Sequence, residues 1–295
     1  MATPGQWLEG ARPRTLPAAV APVLAGTGVA FFAGSAVWWK AALALVVALA
    51  LQVGVNFAND YSDGVRGTDE DRVGPLRLVG SGVATPGRVK AAAFACFGLA
   101  CLAGLVLAAT TAWWLVLAGA VCVLAAWYYT GGSRPYGYHA LGEVMVFAFF
   151  GLVAVLGTTY VQVADGPEQW LWPSAYAAVG VGALACAILV ANNLRDIPTD
   201  ELAGKRTLAV VLGEARTRAL YGLLVLTAAL ALVAVAVVST RWAVLGLVFL
   251  GPAVPALRAV ATGARGADLV PVLKRTGVAE LVYAVGLFAG LVLGA

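Results

Sequence analysis

Charge is scarce in this sequence. Only 12% of its 295 residues are Asp, Glu, Lys or Arg, 61% are hydrophobic, and the mean hydropathy is +0.88. A soluble globular chain carries about a quarter charged residues, so the composition excludes a soluble domain. Histidine occurs once, as His139, in a predicted turn where it reads as a loop residue and not a base. The four cysteines, Cys96, Cys101, Cys122 and Cys186, all fall inside apolar runs without metal-ligand spacing. That pattern argues for small packing residues over disulfides or metal ligands. No cleavable signal peptide is evident either. The N-terminus MATPGQWLEGARPRTLP is polar with a proline-rich entry, and the first apolar run lacks a short hydrophobic region followed by a cleavage site. That run is therefore expected to remain as a membrane span.

What the chain has in abundance is uninterrupted apolar sequence. Runs of roughly 18 residues without charge read as transmembrane helices. Nine are expected, at 16 to 34, 41 to 58, 89 to 109, 113 to 129, 141 to 161, 170 to 192, 219 to 239, 242 to 260 and 277 to 294. The expected architecture is an all-α polytopic bundle forming a single domain over residues 1–295. Basic residues are almost missing from one side of it. Of 19 Lys and Arg, all but Lys40 and Arg241 fall in the N-terminal tail and alternate loops, which places the N-terminus in the cytoplasm by the positive-inside rule. The net charge of +4 thus reflects topology and carries no nucleic-acid footprint.

Acidic residues are as unevenly placed. The stretch NFANDYSDGVRGTDEDRVGPLR, at 56–77, follows the second apolar run, and ANNLRDIPTDELAGKRTLAVVLG, at 191–213, follows the sixth. Asn59 and Asp63 match Asn192 and Asp196 as N-x-x-x-D, and a further carboxylate follows each, Asp69 and Asp200. This reads as a faint parallel repeat. An i, i+4 spacing puts amide and carboxylate on one helical face, while Pro198 is expected to end the helix after Asp196. Carboxylates at a helix C-terminus oppose the macrodipole and repel one another, so they need a cation. Oxygen-only ligands suit a hard ion such as Mg²⁺, which commonly joins one or two carboxylates to substrate phosphates. Asn59 and Asn192 would add neutral ligands, and Arg66, Arg72, Arg77, Lys205 and Arg206 are natural diphosphate contacts. One such cluster alone reads as a solvated loop. Two with the same spacing, on the same side, point to function, because ionisable groups at membrane depth are costly without a role.

NDYSDGVRGTD together with NNLRDIPTDELAGKRT resembles the paired aspartate-rich motifs of the UbiA superfamily of intramembrane prenyltransferases. Within it, ARPRTLPAAVAPVLAGT, GPLRLV, YTGGSRPYGYHALGEVMVFAFFG and GKRTLAVVLG are similar to the menaquinone-pathway branch that prenylates 1,4-dihydroxy-2-naphthoate. The likeness runs from the N-terminal tail to about residue 213. It departs where family members carry an aspartate at the position of Gly67, which leaves Asp69, Glu70 and Asp71 as alternatives for completing the first motif.

The resemblance implies a nine-helix bundle and Mg²⁺ held by Asp60, Asp63, Asp69, Asp196 and Asp200 on the diphosphate of a polyprenyl donor. Lys205, Arg66, Arg72, Arg77 and Arg134 would face the leaving group. It also implies attack by the naphthoate ring with loss of CO₂, in a multi-pass plasma-membrane enzyme whose site opens to the cytoplasm. Tyr128, Tyr129, Tyr136, Tyr138, Phe147, Phe149, Phe150 and Tyr160 are candidates for lining a carbocation, since aromatic faces attract cations, although each is also explained by packing. Arg12 or Arg14 could meet the acceptor's carboxylate, and Glu143 reads either as a helix N-terminal charge or as a proton acceptor. The rivals are a UbiA-type enzyme with another acceptor (a 4-hydroxybenzoate, a tetrapyrrole or a phosphosugar) and a divalent-cation transporter. Motifs at helix ends in a parallel repeat argue against the transporter, whose sites lie near the midplane.

Overall fold

A computed structural model describes residues 2–67, 76–133, 135–164 and 168–295. Among the described residues the chain is helical throughout, with no strand beyond an isolated bridge between His139 and Arg206. The helices are α1 Pro4–Gly10, α2 Pro17–Phe32, α3 Trp38–Arg66, α4 Pro86–Ala109, α5 Leu115–Tyr128, α6 Gly142–Val146, α7 Gly157–Val163, α8 Leu171–Leu202, α9 Leu208–Leu212, α10 Glu214–Val238, α11 Leu250–Ala261 and α12 Leu269–Leu293. Proline opens α1, α2 and α4, where its missing N–H costs nothing. A π-helical stretch, Phe147–Leu156, joins α6 to α7, and a 3₁₀ stretch, Arg241–Phe249, leads into α11.

Among the described residues, seven helical segments are long and apolar enough to cross a bilayer. The count is eight if Pro4–Thr15 and Pro17–Phe32, bent by 50°, form one span. Leu115–Tyr128 is apolar but has only 14 residues, about 21 Å of helix against a hydrocarbon core of about 30 Å. The helix ends also differ from expectation. α3 has 29 residues and α8 has 32, about 43 and 48 Å, so both outrun the hydrocarbon. The apolar runs expected to end at 58 and 192 continue as polar helix to Arg66 and Leu202, carrying both motifs on helical turns. Pro198 does not end α8, which continues to Leu202 with the Thr199 hydroxyl donating to the Asp196 carbonyl. Asp200 is therefore a helical, buried residue one turn beyond Asp196.

The main core gathers α2, α8, α10, α11 and α12 around Leu184, Tyr221, Leu232 and Leu287, and a smaller one joins α3 and α4 around Phe57, Leu78 and Phe97. Gly151 of the π stretch meets Gly182 of α8 so closely that a Cβ on residue 151 would lie 2.8 Å from the Gly182 Cα. Small residues let membrane helices approach in this way. One residue contradicts its surroundings. Glu280 is fully buried, and among the described residues neither of its carboxylate oxygens nor the nearby Tyr283 hydroxyl has a hydrogen-bond partner. A buried unsatisfied polar group costs about 1–3 kcal/mol, so Glu280→Met, of similar length and shape, is expected to stabilise the fold by that amount. A thermal unfolding midpoint in detergent no higher than that of the wild type would refute this.

Candidate active site

The final turns of α3 present a polar face on which each side chain has a different task. Gln52 and Asn56 hold the bend between α1 and α2. The Asn56 Nδ2 donates to the Ala11 carbonyl and to the Thr15 hydroxyl, both at 2.9 Å, and the Gln52 Nε2 donates to the same hydroxyl at 3.0 Å. At that bend Arg12 adopts a left-handed φ of 55°, and its charge lies near Asp60. Asn59 is oriented by the Thr130 hydroxyl, which donates to its Oδ1 at 2.7 Å.

Asp60 is engaged by the backbone. Its Oδ2 accepts the Leu78 N–H at 2.7 Å and its Oδ1 the Val79 N–H at 3.0 Å. Both oxygens thus clip the returning segment onto α3. Gly64 makes room for that segment, since a Cβ there would come within 2.5 Å of the Val79 side chain. The clip brings Arg77 to 3.8 Å from Asp63.

Asp63, 3% exposed, is the point on which other groups converge. The Tyr138 hydroxyl donates to its Oδ1 at 2.6 Å, and the Lys205 Nζ lies 4.0 Å from the same oxygen. Lys205 ties the two motifs together, because its backbone N–H bonds the Asp200 carbonyl at 2.8 Å while its ammonium reaches Asp63. That ammonium also sits 4.7 Å from the centre of the Tyr138 ring, and the Arg206 N–H donates to the Tyr138 carbonyl at 3.1 Å. Sequence separation hid Tyr138 as a hub, since nothing in PYGYHALGE is spaced against either motif.

On α8, Arg195 grips Asp196 through its Nε at 2.6 Å and its Nη2 at 2.8 Å, and the Nη2 also bonds the Asn192 Oδ1 at 2.9 Å. The expected i, i+4 contact of Asn192 with Asp196 is present at 3.4 Å. Arg195 was not among the predicted site residues, although its place one residue before Asp196 and three after Asn192 was a usable signal. Glu143 is buried on α6 and accepts from Asn193 at 2.9 Å.

The predicted aromatic lining is only partly assembled. Tyr129 and Tyr136 pack edge to face at 5.4 Å. The Tyr136 hydroxyl donates to the Ala125 carbonyl at 2.8 Å, and burial pushes its phenol far above the usual range, so it serves as a donor and not a base. Tyr160 lies at the opposite end of the bundle, against Trp114 and Trp170, because α7 follows the full length of the π stretch away from the motifs. Arg66 donates to the carbonyls of Thr130 and Gly132 with its guanidinium 5.6 Å from the Tyr138 ring. Asp69, Glu70, Asp71, Arg72 and Arg134 lie outside the described residues.

Residues 19–268, which include both motifs and the Lys205 strap, match the UbiA prenyltransferase family. This chain belongs to that family. It is 56% identical over 295 residues to the 1,4-dihydroxy-2-naphthoate octaprenyltransferase of Mycobacterium tuberculosis, covering 100% of this chain and 99% of that one. It is 42% identical over 219 residues to the enzyme of the same name from Escherichia coli, covering 72% and 70%. In fold it is similar to an apo UbiA homologue from Aeropyrum pernix K1, with TM-score 0.70, 14% identity and coverage of 94% and 97%. A UbiA homologue from Archaeoglobus fulgidus bound to DMAPP and Mg²⁺ has TM-score 0.66 at 15% identity, covering 97% and 99%.

The described residues fit a hard cation in part. Among them no group of three or more acidic, His or Cys side chains is close enough to hold a metal ion. Asp63 and Asp200, whose backbone carbonyl accepts the Lys205 N–H, are oxygen donors of the right chemistry. Asp60 is spent on backbone amides, and the Arg195 guanidinium occupies both oxygens of Asp196.

Proposed function

We propose that this UbiA-family chain transfers a polyprenyl group from a polyprenyl diphosphate to 1,4-dihydroxy-2-naphthoate, releasing CO₂ and diphosphate and giving demethylmenaquinol. The reading is supported by full-length identity with enzymes of that name. It rests above all on the Lys205 strap, which puts a cation, a phenol and a buried carboxylate from three parts of the chain around one point. In this reading the protein is a single catalytic domain with nine spans, α5 being a short one, in the plasma membrane with the N-terminus and the site on the cytoplasmic side.

Asp63 and Asp200, with Asn59 and Asn192 alongside, would hold Mg²⁺, which supplies charge neutralisation for the departing diphosphate, while Arg195 keeps hold of Asp196. Arg77 and Lys205 stand beside Asp63 and stabilise the same developing charge, the kind of preorganised electrostatics that usually contributes most to catalysis. The allylic C–O bond breaks, and its electron pair leaves with the diphosphate. Tyr138, held by Asp63 and facing Lys205, and Tyr129 present aromatic surface to the cationic carbon. Arg12 would hold the acceptor's carboxylate. The ring carbon bearing that carboxylate forms the new C–C bond, and the electrons of the bond to CO₂ restore the aromatic ring. No general base is required.

The test offers the purified protein a polyprenyl diphosphate, Mg²⁺ and a panel of acceptors. Dihydroxynaphthoate is expected to be prenylated in preference to 4-hydroxybenzoate, a tetrapyrrole or a phosphosugar. Preference for any of the others would defeat the acceptor assignment.

A further inference from the structure

Tyr61 and Val65 stand two positions either side of Asp63, about 200° around α3 at 100° per residue, so they face away from the site described above. There a cavity of about 200 Å³ opens between the ends of α3 and α5, lined by Tyr61, Ser62, Arg66 and Trp127 among others. The Tyr61 and Trp127 rings stack at 6.1 Å and 23°. Above them the Lys90 ammonium, from the start of α4, lies 5.4 Å from one ring centre and 5.8 Å from the other. Among the described residues neither Lys90 nor Arg66 forms an ion pair with a carboxylate, and the buried Ser62 hydroxyl makes no hydrogen bond. Arg66 lines the cavity, steadied by the Thr130 and Gly132 carbonyls, and Lys90 stands over the two rings at its side; two cations without a carboxylate partner among the described residues, beside a hydroxyl, are the chemistry of a phosphate site. The surface leading from it is apolar. Phe94, one turn after Lys90, is 50% exposed, and Leu124, three residues before Trp127, is 56% exposed, so both helices offer lipid-facing surface below the cavity.

We propose that this cavity binds the phosphate headgroup of an anionic phospholipid from the leaflet bordering the two motifs, with an acyl chain on the exposed face of α4 and α5. A basic pocket between membrane helices, set among interfacial aromatics, is suited to such a headgroup. The polyprenyl donor shares this chemistry, a phosphate head on an apolar tail. The phosphodiester fits better, because among the described residues no acidic side chain lines the cavity to hold the cation that a diphosphate brings. Lys90 and Ser62 have no part in the catalytic machinery described above.

Native mass spectrometry of the full-length protein titrated with phosphatidylglycerol reads the site directly. Lys90→Gln is expected to weaken that binding roughly fivefold, the equivalent of about 1 kcal/mol per basic residue near a membrane surface. Lys90→Arg should retain it, and kcat at saturating donor should be unchanged in both variants. Phosphatidylcholine and inorganic phosphate should not distinguish the variants. Equal phosphatidylglycerol affinity in wild type and Lys90→Gln would overturn the proposal. So would one-for-one displacement of the phospholipid by geranylgeranyl diphosphate, which would assign the cavity to the donor.

Discussion

Asp63→Asn is expected to lower kcat by about 10²–10³-fold, the usual effect of removing one preorganised electrostatic element from an active site. The Tyr138 hydroxyl, Arg77 and Lys205 all converge on this carboxylate. An amide would keep the shape but leave two cations facing a neutral group and remove an oxygen donor for the metal. The measurement is single-turnover prenylation with saturating donor and dihydroxynaphthoate, with a thermal melt to show that the variant is folded. A folded variant with wild-type turnover would remove Asp63 from the mechanism. The second-motif partner Lys205 would then lose its assigned role as well, since among the described residues its ammonium meets the first motif only there.

Asp60→Asn tests a different role. Both Asp60 oxygens accept backbone N–H groups from consecutive residues, and hydrogen bonds to a charged group contribute about 1.5–3 kcal/mol each. Asparagine keeps one acceptor and turns an N–H toward the other N–H, so the segment carrying Arg77 should lift from α3. The expected result is a fall of about 10–100-fold in kcat/KM for the donor, from the loss of one such bond. The Mg²⁺ concentration giving half-maximal activity should stay where it is. A metal ligand would behave otherwise, and a large rise in that Mg²⁺ requirement would return Asp60 to the coordination shell.

Much of the site was legible because its residues are spaced along helices. Asn192 and Asp196 meet as their i, i+4 spacing predicts, and the two motifs do share one end of the bundle, as their placement after similar apolar runs implied. The helix ends were not legible. Hydropathy reports where lipid stops, and α3 and α8 continue past that point as polar helices to Arg66 and Leu202. Pro198 misled for a related reason, because packing can hold a helix through a residue that local preference would use to end it. The roles of individual carboxylates were equally hidden. Asp60 and Asp63 are the same residue type on the same helix, yet one is a backbone clip and the other the centre of a charge cluster.

The sequence alone determined that this chain lives in a membrane, that it is helical, and that two matched Asn/Asp motifs follow its second and sixth apolar runs. Those properties follow from composition and periodicity, which are local and additive along the chain. Only the tertiary structure decided what each acid meets, because that depends on which N–H, guanidinium or phenol arrives from a distant segment. Leu78 and Val79 claimed Asp60, Arg195 claimed Asp196, and Tyr138 with Lys205 came to Asp63 from parts of the chain that no spacing rule connects to it.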